Sequence, residues 1–240
     1  KTFKVADKTT NTFELQDVDG NDINSSGYTA YSSAGVANRI YQITTNYTTA
    51  QLFDLKFAQS ADVMYITHPS HEASKLSRTG HTSWTLSEVD FGETGPYMDA
   101  NTTATTLTPA SSGTGTGVNI TASSTTGING GNGWQTTDVG RILKFNSGEA
   151  VITARTNTTV VVCTITKAFA NTDATAAFQL GSFSDTTGHP SVVTFFEQRL
   201  VFAGTSDQPQ TMFFSKSGDY ENMTAGTDAD DAMIYTIASN

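Results

Sequence analysis

The sequence predicts an all-β protein, on three observations. Apolar residues recur with period two, or in short runs bounded by Gly, Asn, Asp and Ser, as in Phe13-Glu14-Leu15-Gln16 and Thr194-Phe195-Phe196. Threonine, whose branched β-carbon suits a pleated surface, fills 42 of the 240 positions. A helix is expected only as a turn or two at Thr48-Thr49-Ala50-Gln51-Leu52-Phe53-Asp54-Leu55, with Thr48 as its cap. The 14 phenylalanines and 8 tyrosines are more than a disordered chain carries, and no run approaches the ~20 apolar residues of a membrane-spanning helix.

Residues 1–40 read as a small β fragment. Phe3-Lys4-Val5-Ala6 is strand-like, and Asp19-Gly20 suits a tight hairpin turn. Residues 41–100 and 181–240 then carry an internal repeat. In the first, Val63-Met64-Tyr65-Ile66 is followed by Pro69, by Leu76-Ser77-Arg78-Thr79-Gly80 and by Trp84. In the second, Leu200-Val201-Phe202-Ala203 is followed by Pro209, by Phe214-Ser215-Lys216-Ser217-Gly218 and by Tyr220. A phenylalanine-bearing strand precedes each, Leu55-Lys56-Phe57 and Val193-Thr194-Phe195-Phe196. Three or four short antiparallel strands per unit is the size of a β-propeller blade. Gly80 and Gly218 are expected to end equivalent strands at turns with positive φ. Two blades cannot close a ring that needs ~4 or more. Together with the strand-like Phe3 segment and the run Ala232-Met233-Ile234-Tyr235-Thr236-Ile237, this suggests a piece of a longer polypeptide.

Between the repeats the composition changes. Residues 101–133 are dominated by Thr, Ser, Gly and Asn and read as loop and edge strand. From Trp134 to Leu180 the strand pattern recovers, with Val139-Gly140-Arg141-Ile142-Leu143-Lys144-Phe145 and Val160-Val161-Val162-Cys163-Thr164-Ile165 as core strands. Residues 101–180 therefore read as a small β-barrel or sandwich domain inserted between partial propeller blades, where long insertions cost little. Its core is expected around Ile142, Phe145, Val161 and Ile165.

The candidate chemistry reduces to structural roles. His68-Pro69-Ser70-His71-Glu72 has metal-ligand residue types, but Pro69 and an inter-strand position deny the shared helical face that zinc proteases use. Asp17-Val18-Asp19-Gly20-Asn21-Asp22 lacks the glycine and glutamate spacing of a calcium loop. Ser112-Gly113-Thr114-Gly115-Thr116-Gly117 precedes no helix that could receive a phosphate. Glu88 with Asp90, and Asp228 with Asp230 and Asp231, are acid groups of the glycosidase type that read as solvated loops. Cys163, the sole cysteine, sits in an apolar run with no base nearby and reads as a buried thiol. The expectation is a protein with no catalytic residue, no metal and no cofactor.

The 23 acidic and 13 basic residues give a formal net charge of −10, which repels phosphate and disfavours sequence-specific DNA binding.

The repeat residues also carry a resemblance. The stretch from Gly188-His189-Pro190 through Arg199-Leu200-Val201-Phe202-Ala203-Gly204-Thr205 and Gln208-Pro209-Gln210 to Phe214-Ser215-Lys216-Ser217-Gly218-Asp219-Tyr220-Glu221-Asn222 resembles a segment of bacteriophage tail proteins. Ser60-Ala61-Asp62-Val63-Met64-Tyr65-Ile66-Thr67-His68-Pro69 and Ser77-Arg78-Thr79-Gly80-His81 resemble an earlier segment of the same proteins. The family is the tail nozzle, or tail tubular protein B, of short-tailed phages. His189 departs from it, an aromatic residue being expected there in many relatives.

Trp134 to Phe145 is similar to a small β-barrel insert of ubiquitin-activating enzymes. The resemblance implies a virion tail protein forming a homo-hexameric ring around the DNA exit channel. Its partners would be the tail adaptor protein, the tail fibres and genomic DNA passing through the lumen without sequence-specific binding, with no membrane involved. It implies a structural part, not an enzyme. The other reading is a receptor- or carbohydrate-binding β module of a tail fibre or adhesin, with Trp84, Trp134 and Tyr97 as stacking platforms.

Overall fold

The structure, a computed structural model, describes residues 3–29, 41–91 and 94–237. Among them the chain is all-β: every paired strand is antiparallel, and helix is confined to single 3-10 turns. The chain divides into two compact units, Lys1–Gln42 and Ile43–Asn240.

In the first unit β1 (Lys4–Ala6) pairs with β2 (Glu14–Gln16). The next turn is organised by Asp17. Its Oδ1 accepts the N–H groups of Asp19 and Asn21, both at 2.9 Å, and its Oδ2 accepts Asn21 Nδ2 at 3.0 Å. The Asn21 side chain leads the contacts that hold this carboxyl below its ordinary range. The loop's own donors thus occupy the oxygens that a calcium ion would need. The end of the 1–40 segment, from residue 30, lies outside the described residues.

The second unit opens on a 3-10 turn, Thr49–Gln51. Thr48 caps it from the position the sequence suggests, its N–H and Oγ1 donating to Gln51 Oε1 at 2.9 and 3.0 Å. A four-stranded meander follows, with β3 (Lys56–Ser60), β4 (Val63–His68), β5 (His71–Gly80) and β6 (Ser83–Glu88) in spatial as in sequence order.

A curled, half-barrel-like sheet comes next, built from β7 (Leu107–Pro109), β8 (Gly115–Ala122), β9 (Ile142–Phe145), β10 (Gly148–Arg155), β11 (Val160–Lys167) and β12 (Phe178–Leu180). Its order is β12-β9-β10-β11-β8-β7. The curl brings the edges together: Leu107 and Thr175 exchange backbone hydrogen bonds of 2.9 and 3.0 Å. Met98 and Asn101 donate their N–H groups to Leu180 and Phe178 of β12. Alternation sets what the curl encloses, since Val161, Cys163 and Ile165 on β11 meet Leu143 and Phe145 on β9, with Trp134 fully buried among them. This cluster is drawn wholly from residues 107–180.

Three details differ from the sequence expectation. Strand β9 begins at Ile142 rather than Val139, because Gly140 takes φ +90° in a turn and leaves Val139 exposed. Ile142 is half-buried and outside the cluster, where Leu143 takes the inward place. The Thr- and Gly-rich segment supplies an interior strand, β8, which lies between β11 and β7 and points Val118, Ile120 and Ala122 at the core.

The last sheet is β13 (Val192–Phe196), β14 (Arg199–Ala203), β15 (Thr211–Phe214) and β16 (Met233–Thr236), again a meander in sequence order. Its hairpin β13-β14 turns at Glu197 and Gln198 with φ of 45° and 62°, the primed geometry that matches strand twist. The two meanders agree in register. Met64 on the second strand of the first pairs with Gln59 and Leu76, and Val201 on the second strand of the other pairs with Thr194 and Phe214. One residue on, Tyr65 and Phe202 are both buried, in a single cluster shared by both sheets.

Edge-to-face ring pairs join that cluster, Tyr65 with Phe195 at 6.0 Å and Phe183 with Phe213 at 4.9 Å. The Lys75–Glu221 ion pair at 2.7 Å clamps the same seam. Glu221 Oε1 also accepts the Tyr65 hydroxyl, which burial first and Glu221 second keep protonated well above its ordinary range. The two glycines differ. Gly218 lies in a turn at φ 76°, beyond the end of β15, whereas Gly80 closes β5 without entering the left-handed region.

The chain passes from the first meander to the half-barrel and returns at one place. Tyr97 and Gly181 form an antiparallel bridge, and Ser182 N–H donates to Pro96 O at 2.9 Å.

Candidate functional site

A cleft of about 400 Å³ opens between the first meander, the half-barrel and the segment before β13. Strand pairing places Ser74 opposite Glu88, and side chains two apart share a face, so Glu72 and Glu88 are diagonal neighbours at its mouth. At that placement the Glu88 carboxyl favours a proton on Glu72, both by its charge and as a hydrogen-bond partner. Burial, then the Glu88 charge and that hydrogen bond, then Asp185, push Glu72 up to about 7. The opposite wall is the Gly140 turn, where an added β-carbon would stand 3.3 Å from Glu72 Oε1, with Ile142 and Val151 behind it. His189, buried, donates from Nε2 to Asp185 Oδ1 at 2.9 Å.

The sequence singled out Glu88 with Asp90, and Asp90 does line this cleft, but the proton-sharing partner is Glu72. Glycosidases hold their two acids ~5 Å or more apart around the scissile bond, whereas Glu72 and Glu88 are coupled closely enough to favour a proton on Glu72. The pair instead makes the seam pH-dependent. A carboxyl whose folded pKa of about 7 lies above its ordinary 4.5 binds its proton more tightly in the fold, so stability falls as pH rises from about 4.5 to 7 and is level above. We expect Glu72→Gln to match the wild type at pH 4.5 and to be more stable by about 1 kcal/mol at pH 8, a small figure because both carboxyls meet solvent. Urea unfolding at the two pH values measures this, and an equal difference at both would refute it.

The other sequence candidates fall apart from one another. His68 and His71 pair across the β4-β5 hairpin with ring centroids 5.1 Å apart, and Tyr47 meets the His71 ring edge-to-face at 5.3 Å. His68 Nδ1 accepts Ser70 N–H at 3.1 Å, and burial followed by His71 lowers its pKa, so the ring is held neutral with its proton on Nε2.

Asp228, Asp230 and Asp231 do converge, and Lys216 already serves two of the three carboxylates. Lys216 Nζ lies 3.4 and 3.3 Å from Asp230 and Asp231, and buried Arg199 donates to the carbonyls of Ala229 and Asp231. Asp228 and Asp230 are exposed, as the solvated reading of the sequence has it, and the loop is tethered as well. Cys163 is buried, and burial pushes its thiol up to about 12, far from a nucleophile.

Of the proposed stacking platforms, Trp134 is fully buried in the half-barrel core and cannot stack on a ligand. Arg78 covers Trp84, and Lys144 Nζ stands 5.3 Å over Tyr97. A feature that the sequence did not announce lies at the start of β9. Buried Arg141 pairs with buried Asp138 at 3.0 Å and donates from Nε to Gly181 O at 2.8 Å. No protein-family model and no curated protein matches the chain.

Proposed function

We propose that the chain is a structural part of a bacteriophage tail, a segment of the nozzle ring through which DNA leaves the particle. The carrying observation is the pair of register-matched four-stranded meanders that bury Tyr65 and Phe202 at equivalent places in one shared core. In this reading they are neighbouring blades of a propeller-like body, and residues 101–180 are a small barrel domain hung from the loop between them. The side-by-side passage at Pro96 and Ser182 supports that division, as does a cluster drawn only from residues 107–180. The ring is a homo-hexamer seated on the tail adaptor and carrying tail fibres. DNA passes along its lumen without being read. A net charge of −10 suits a conduit, because fixed cations would hold the phosphates that have to slide past.

Electron micrographs of the protein in its full reading frame should show a closed sixfold ring at micromolar concentration. A monomer, or a trimeric stalk, would remove the reading. A second expectation concerns the domain division. Replacing residues 101–180 by a short Gly-Ser linker should leave both meanders folded, since the chain on either side is already in hydrogen-bond contact and loop closure changes by only ~0.6 kcal/mol per doubling of length. Loss of the near-ultraviolet circular dichroism of the remaining aromatic core would show that the two regions are one domain.

A further inference from the structure

Beside Arg141, a pocket of about 640 Å³ opens where the loop before β9, the chain entering β7 and the loops around β13 and β14 meet. That size falls within the range of small-molecule sites, which favour such junctions. Its floor is apolar, formed by Met98, Phe178 and Leu180. Its walls alternate donors and acceptors. Arg141 is the fixed element: 1% exposed, it spends Nε on Gly181 O and Nη1 on Asn129 Oδ1 and Asp138 Oδ1. Nη2, by contrast, faces the Met98 thioether at 3.0 Å, and sulfur is a weak acceptor. A buried, charged donor with so poor a partner favours a ligand oxygen. At the rim, Asp99 and Asp207 are exposed, and no protein donor among the described residues engages either carboxylate. Asp207 is near enough for its charge to act on Arg141.

We propose that this pocket binds a neutral sugar residue. An apolar floor suits the C–H face of a pyranose. Its hydroxyls can accept from Arg141 Nη2 and at the same time donate to Asp99 and Asp207, the dual capacity that a hydroxyl has and a phosphate or an ammonium lacks. The formal charges of Arg141, Asp138, Asp99 and Asp207 sum to −2, which turns away anions, and Arg141 Nη2 needs an acceptor, which an ammonium does not carry. The site is independent of the ring reading, and it uses none of the aromatic platforms discussed above.

The test is titration of the protein with glucose, galactose, mannose, rhamnose and N-acetylglucosamine by ligand-observed NMR, with spermidine and inorganic phosphate alongside. At least one sugar should bind at millimolar Kd, and the Asp99→Asn/Asp207→Asn double variant should weaken it tenfold or more without moving the thermal midpoint. Competition with a bacterial surface polysaccharide ending in the same sugar separates the two sources: displacement identifies chain ends, and its absence the free sugar. Binding of no sugar, binding of spermidine or phosphate in their place, or sugar binding untouched by the double variant, would each overturn the proposal.

Discussion

Asp138→Ala is expected to destabilise the protein by about 3–5 kcal/mol, the usual cost of leaving a buried charge without its partner. The Arg141–Asp138 pair is essentially without solvent, at 1% and 0% side-chain exposure, so water cannot replace the lost carboxylate. The loss extends past the ion pair. Asp138 Oδ2 also accepts Asn129 Nδ2 and Gln135 N–H, both at 2.7 Å, and so fixes the loop that carries the chain into β9. For a protein of this length the shift in thermal midpoint is roughly 10 °C. Removing both charges in Asp138→Ala/Arg141→Met should recover part of it, because the second substitution deletes the orphaned cation. A cost below 1 kcal/mol for the single variant in calorimetry would mean that the guanidinium finds solvent without its partner.

Arg199→Ala should cost about 3 kcal/mol or more. Its guanidinium donates to Ser215 O at 2.7 Å and to Asp231 O and Ala229 O at 2.6 Å, and each bond to a charged donor is worth about 1.5–3 kcal/mol before relaxation. These bonds join β14 to the end of β15 and to the loop that feeds β16. Hydrogen exchange should therefore quicken first at residues 228–236, ahead of global unfolding. Arg199→Lys keeps the charge but not the fork, and is expected to recover less than half. Equal stability of the lysine variant and the wild type would show that charge alone holds the loop.

What the sequence reveals, and what it hides, follows from distance along the chain. β11 and β14 are legible because their apolar alternation or runs are local, and the repeat is legible because two local patterns agree. β8 is hidden: only Val118, Ile120 and Ala122 mark its inward face, among glycines and threonines that also serve loops. The partners of the acidic groups are hidden for another reason. Glu72 meets Glu88 only through strand register, and Arg199 reaches the 228–231 loop only through the meander. Trp134 shows the opposite error, since a lone tryptophan beside a glycine-rich loop looks like a surface platform and is instead the largest side chain of the half-barrel core.

The hydrogen-bonded passage at Pro96 and Ser182 has a mechanical consequence. Tension applied across the two meanders would cross directly between these neighbouring residues, with the Tyr97–Gly181 bridge sharing the load. In the proposed division the half-barrel hangs outside that path, as a bead on a closed loop of string. It is shielded from the pull until the clasp opens.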